Sequence, residues 1–163
     1  MKKQKGFSLI ELLIVVAIIL FIAAIAIPNL MRSKMAANES SAVGSLRTIN
    51  TAEVTYSTTF PSIGYTGVLG SLGNNGSSTP CAASVAASST ASCLIDSVLA
   101  SGTKSGYQFL VGGTTGTPAV TYTSSATPTA PNQSGTRFFC SDQSGVIYAN
   151  LSAACTSANG TPL

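Results

Sequence analysis

Histidine and tryptophan are absent from this 163-residue chain, and charged residues make up only 8% of it, against about a quarter in an ordinary soluble domain. Without histidine no Ser–His or Cys–His nucleophile pair can be built, and no Gly-x-Ser-x-Gly elbow accompanies the many serines. The cysteines, Cys81, Cys93, Cys140 and Cys155, contain no C-x-x-C pair, so neither zinc-ligand spacing nor a c-type haem signature is present. Acids are scarce as well. Beyond the long N-terminal helix read below, only Asp96 and Asp142 remain, whereas calcium wants about six to eight oxygens, usually with several carboxylates. Asp142 is therefore read as a turn residue, no metal or cofactor is expected, and the chain reads as a non-enzyme.

A basic face is also lacking. The net charge is +3, but Lys2, Lys3 and Lys5 stand together at the start. The other basic residues, Arg32, Lys34, Arg47, Lys104 and Arg137, only equal in number the acids Glu11, Glu39, Glu53, Asp96 and Asp142. Phosphate binding needs clustered Lys or Arg, so nucleic acid is not an expected partner.

What the chain does have is one long apolar run. From Phe7 to Ile27 the only polar residues are Ser8 and Glu11. At about 1.5 Å per residue this helix spans about 31 Å, close to the ~30 Å hydrocarbon core of a bilayer. The preceding lysines orient its N-terminus toward the cytoplasm, with Arg32 and Lys34 weakening the bias. A secretory signal peptide would share the basic start and the small-x-small Ala24-Ile25-Ala26, but its apolar region is usually about 7–15 residues long. A plain anchor would leave Glu11 unexplained, since an acid in a membrane helix costs about 2.5–3.5 kcal/mol and calls for a partner.

The segment Lys5-Gly6-Phe7-Ser8-Leu9-Ile10-Glu11-Leu12-Leu13, continued by Val15-Val16-Ala17-Ile18-Ile19 and Ala23-Ala24-Ile25-Ala26-Ile27-Pro28, resembles the processing and assembly segment of the type IV pilin and type II secretion pseudopilin family. The resemblance covers about the first thirty positions. It implies a leader of residues 1–6, cleavage after Gly6 by prepilin peptidase, and N-methylation of the new terminal residue, Phe7. Cleavage creates an α-amine, cationic at neutral pH, that needs a counter-ion in apolar surroundings. Glu11 of a neighbouring subunit could supply it, and such a desolvated pair is better suited to fixing register than to adding stability. Alanines 23, 24 and 26 would let the helices approach closely.

Pro28 lacks an N–H and should kink or loosen the helix there. No further proline follows until Pro61, so the helix is expected to continue through residues 28–58. Ala42, Leu46, Ile49 and Tyr56 share a face in that half, with Glu53 interrupting the stripe and Gly44 weakening it. Residues 62–101 read as a long loop in which 85–99 holds a short helix. Four strand-like pieces follow, at 107–111, 119–123, 136–140 and 146–150, the last two forming the clearest hairpin, and 127–131 reads as a turn or surface loop. The aromatic residues in and beside these pieces are read as core.

The cysteines all lie in the part that a membrane helix would deliver to the far side, where disulfides form. Pairing neighbours in sequence gives Cys81 with Cys93 and Cys140 with Cys155. The family resemblance adds that a C-terminal disulfide loop is common in type IV pilins, and that secretion pseudopilins hold calcium in their heads.

The expectation is thus an α+β protein: a leader at 1–6, a transmembrane and assembly half-helix at 7–27, an amphipathic half-helix at 28–58, and a small antiparallel β-sheet head at 59–163. The resemblance implies a filament subunit held in the bacterial inner membrane with its head periplasmic, working with prepilin peptidase, membrane lipid, an inner-membrane assembly platform and copies of itself. A type II secretion pseudopilin is the alternative, and a membrane-anchored binding or adhesin module is the alternative of another class.

Overall fold

The computed structural model describes residues 7–75, 81, 87–151 and 155–163. It divides into two units, residues 1–34 and 35–163. The first contains the N-terminal part of helix α1 (Leu9–Thr59), which is continuous through Pro28. Proline at that position leaves the Ala24 carbonyl, one turn back, without its usual donor. Among the described residues of this unit every side chain is exposed except Ala23, which is half-buried. The helix is long and apolar enough there to cross a membrane.

The second unit holds the rest of α1 and the head. Among its described residues are two single-turn helices, α2 (Leu69–Leu72) and α3 (Ser97–Ala100), and six strands: β1 (Thr103–Lys104), β2 (Tyr107–Thr115), β3 (Thr121–Pro128), β4 (Phe138–Asp142), β5 (Ile147–Asn150) and β6 (Thr161–Pro162). They form one antiparallel sheet in sequence order, β1-β2-β3-β4-β5-β6. The fold is α+β.

One face of α1 and one face of the sheet make the core. Ala42, Leu46, Ile49, Ala52 and Tyr56 pack with Leu69, Leu72 and Leu99 and with Tyr107, Phe109, Ala126, Phe139, Ile147 and Ala149 from the strands. Period-two alternation explains the strand contribution: Tyr107 and Phe109 of β2, and Tyr122, Ser124 and Ala126 of β3, are buried in turn. The helix ends where Phe60 N–H still reaches the Tyr56 carbonyl and Pro61 follows.

Several expectations need correcting. Glu53, expected to interrupt the apolar stripe, is fully buried within it. The stretch 127–131 is not all loop, because β3 runs on to Pro128, paired with Tyr107. Proline is tolerated there as the last strand residue, beyond the β3–β4 pairing that stops at Ala126. The sheet has two more strands than expected, the two-residue edge pieces β1 and β6. The helix expected within 85–99 is α3, begun by Asp96, whose carboxylate accepts the Leu99 N–H; residues 85 and 86 lie outside the described residues.

Candidate assembly and processing site

The N-terminal end of α1 gathers the residues singled out from the sequence. Gly6 and the rest of the 1–6 segment lie outside the described residues. Phe7 is exposed and non-helical, and the helix opens at Leu9. Glu11 Oε2 accepts the backbone N–H of Ser8 at 3.0 Å. Ser8 is the residue before the helix and Glu11 its third, so the carboxylate satisfies a backbone donor just outside the first turn and sits at the positive end of the helix dipole. Sequence reasoning overlooked this second role of Glu11, although Ser8-x-x-Glu11 has the spacing of a capping box. Among the described residues the Ser8 backbone N–H is the donor that the Glu11 carboxylate accepts.

Behind this tip the exposed apolar surface is continuous, with Ile10, Leu13, Ile14, Phe21, Ile25 and Leu30 each more than half exposed. A soluble domain rarely leaves so large an apolar patch uncovered; such a surface marks a lipid or protein contact.

Among the described residues two acids of the head, Glu39 and Asp96, are held in ion pairs. Glu39, buried on α1, accepts hydrogen bonds from Thr136 N–H and Oγ1 and from the Arg137 N–H, and pairs with Arg137 Nε at 2.8 Å. Burial alone would raise its pKa, but the Thr136 and Arg137 hydrogen bonds outweigh it and hold the carboxyl below its ordinary value. Asp96 pairs with Lys104 at 2.9 Å. Asp142 Oδ1 accepts from the N–H and Oγ of Ser144 in the β4–β5 turn, which is an Asx-type turn role. Among the described residues no group of three potential metal ligands is clustered.

The two disulfides join Cys81 to Cys93 and Cys140 to Cys155, with sequence separations of 12 and 15. The second ties β4 to the segment after β5. Beside it lies a pocket of about 260 Å³ bordered by Thr123, Ser125, Asp142, Thr156 and Ser157, hydroxyl-rich with one carboxylate.

Residues 1–27 match the family model described as the prokaryotic N-terminal methylation motif. Over 40 residues the chain is 55% identical to the type IV wide pilus major component PilA4 of Thermus thermophilus, a match covering 24% of this chain and 30% of that protein. Over 54 residues it is 44% identical to the type IV major pilin protein PilA of Myxococcus xanthus, covering 33% of this chain and 24% of that one. The chain therefore matches less than a third of the length of either relative. No solved structure gives a significant match. The chain carries the prokaryotic N-terminal methylation motif and, over 40 to 54 residues, is similar to two type IV pilins.

Proposed function

We infer that this chain is a pilin-like structural subunit of an extracytoplasmic helical filament. The observation that carries the reading is the conjunction, in one short segment, of the methylation motif with an apolar helix whose surface is left uncovered. Prepilin peptidase cuts after Gly6, and Phe7 becomes the N-methylated terminus. The subunit waits in the inner membrane as a single-pass protein with its head periplasmic. The assembly platform then extracts it, and the Leu, Ile and Val surface exchanges lipid for neighbouring helices.

Glu11 does two things in this scheme. One oxygen caps its own helix through Ser8, as the 3.0 Å contact supports. The other meets the terminal amine of Phe7 in an adjacent copy and sets the axial register. Both relatives are named as pilus components, which favours a pilus over a secretion pseudopilus.

Two measurements test this. Intact mass of protein from sheared surface fibres should correspond to a chain beginning at methylated Phe7; a chain retaining residues 1–6 would refute the cleavage site. Glu11→Ala should leave cleavage and membrane insertion intact while fibre yield falls at least about tenfold, the equivalent of about 1.4 kcal/mol. A normal fibre yield from that variant would refute the register role.

A further inference from the structure

Glu53 stands in the middle of the buried face of α1, between Ile49 and Tyr56, and is fully buried. Its Oε2 accepts the N–H of Thr66 at 2.9 Å, while Oε1 has no hydrogen-bond partner among the described residues. Thr66 belongs to the loop of residues 60–68 that joins α1 to α2. Among the described residues a handful of further contacts hold this loop to the rest of the head, the Phe60 ring against Tyr56 at 4.9 Å among them. Tyr65 N–H reaches the Ala119 carbonyl, Ala119 N–H returns to Ile63, and the Tyr65 ring rests on Tyr122 at 4.8 Å. Gly64, with φ of +80°, lies so close to the Ala119 backbone that no side chain fits between them.

The groups facing the carboxyl offer it no compensation. Tyr56 faces it from its own helix and Tyr122 from β3, and the Glu53 charge helps to raise both phenols above their ordinary values, after burial. Asp142 bears on Tyr122 with the same sign. The ion pairs among the described residues use Arg137 and Lys104, each committed to another acid. A neutral Glu53 leaves one hydroxyl unpaired; an ionised one leaves a whole buried charge with one hydrogen bond, a far larger penalty. Burial accordingly pushes the carboxyl up to about 7, against the lowering effect of the Thr66 N–H.

We propose that Glu53 is a proton-operated clamp on the 60–68 loop: as the neutral acid it holds Thr66 in place, and on ionisation it draws water in and loosens the loop from the head. The loop is the element that yields. Its opening hydrates the carboxylate at the expense of a few bonds, whereas the sheet and α1 are tied by the whole core. Because the loop presents Ile63 and Val68 at the surface, the clamp makes that surface mobile in alkaline medium and fixed in acid.

Hydrogen exchange on the full chain in detergent micelles, read by mass spectrometry from pH 5.5 to 9 and corrected for intrinsic amide rates, tests the clamp. Protection of the 60–68 peptide should fall at least about tenfold between pH 6 and pH 8.5, with the Phe138–Asp142 strand losing much less. Glu53→Gln, which keeps an acceptor for Thr66 but does not titrate, should abolish the pH dependence. A flat wild-type profile, the same profile in the glutamine variant, or equal loss in loop and strand would each overturn the proposal. Should that variant fail to fold, the carboxyl carbon shift of Glu53 in the wild-type chain decides. A midpoint coinciding with that of loop exchange supports the clamp, and a midpoint below pH 5 sinks it.

Discussion

Two glutamates on the same buried face of α1 meet opposite surroundings, and the pH dependence of the head follows from the difference. Glu39 has a cation and three hydrogen bonds from Thr136 and the Arg137 backbone; among the described residues Glu53 has one hydrogen bond and no cation. The lowered pKa of Glu39 means that its contribution is present above the unfolded carboxyl value of 4.5 and is lost as pH falls through the folded value. For Glu53 the sign reverses. With a folded value of about 7 against 4.5, the native state keeps a proton that the unfolded chain gives up. Its favourable contribution is therefore complete below pH 4.5 and lost as pH rises through 7, to an extent of roughly 3 kcal/mol. Thermal melting of the full chain in detergent should accordingly fall between pH 5 and pH 8, and Glu53→Gln should flatten that slope; an unchanged slope would remove Glu53 as its cause. Glu39→Ala strands the Thr136 and Arg137 donors and should cost about 2 kcal/mol at neutral pH, measured by denaturant unfolding.

At the scale of elements, the helix–sheet contact and the disulfides carry the head. Leu46 is completely buried between α1 and the strands. Leu46→Ala should cost about 3 kcal/mol of unfolding free energy, the usual result of emptying a packed leucine site. Replacing Cys140 and Cys155 by serine should cost a similar amount, about 3 kcal/mol, because the bond closes a 15-residue separation. Both are measured by denaturant titration.

Long elements were legible in the sequence and short ones were not. The passage of α1 through Pro28 and the existence of β2 to β5 could be read from their residue patterns, although β3 was expected at 119–123 and runs from Thr121 to Pro128. The single turn α2 and the two-residue strands β1 and β6 contain too few residues to show any period; their geometry comes from the neighbours they join. Asp142 as a turn residue was legible from the scarcity of other acids near it, which left it no metal to share. The fate of Glu53 was not, since an acid within an apolar stripe looks like an interruption until Thr66 is brought against it from a loop.

For the whole molecule, the division into two units separates two demands. Residues 35–163 contain their own core, whereas the described side chains of the first unit bury almost nothing. Removing residues 1–34 should yield a chain that remains monomeric without detergent, while the full chain requires detergent to stay dispersed; analytical sedimentation distinguishes these states. Aggregation of the shortened chain would show that the head needs the apolar helix for more than anchorage.

The strand order of the sheet matches the order of the chain, each strand pairing with the one before it. Short sequence separations between partners keep loop-closure entropy small and favour rapid pairing. On the proposed topology the head emerges on the far side of the membrane progressively, N-terminal part first. A meander of this kind can zip up in step with that emergence, each new strand finding its template already displayed. Both disulfides join cysteines close in sequence, 12 and 15 residues apart, and so can also close locally. On the proposed function the head can thus finish folding while still tethered to the bilayer, so that the subunit offered to a growing filament is already complete.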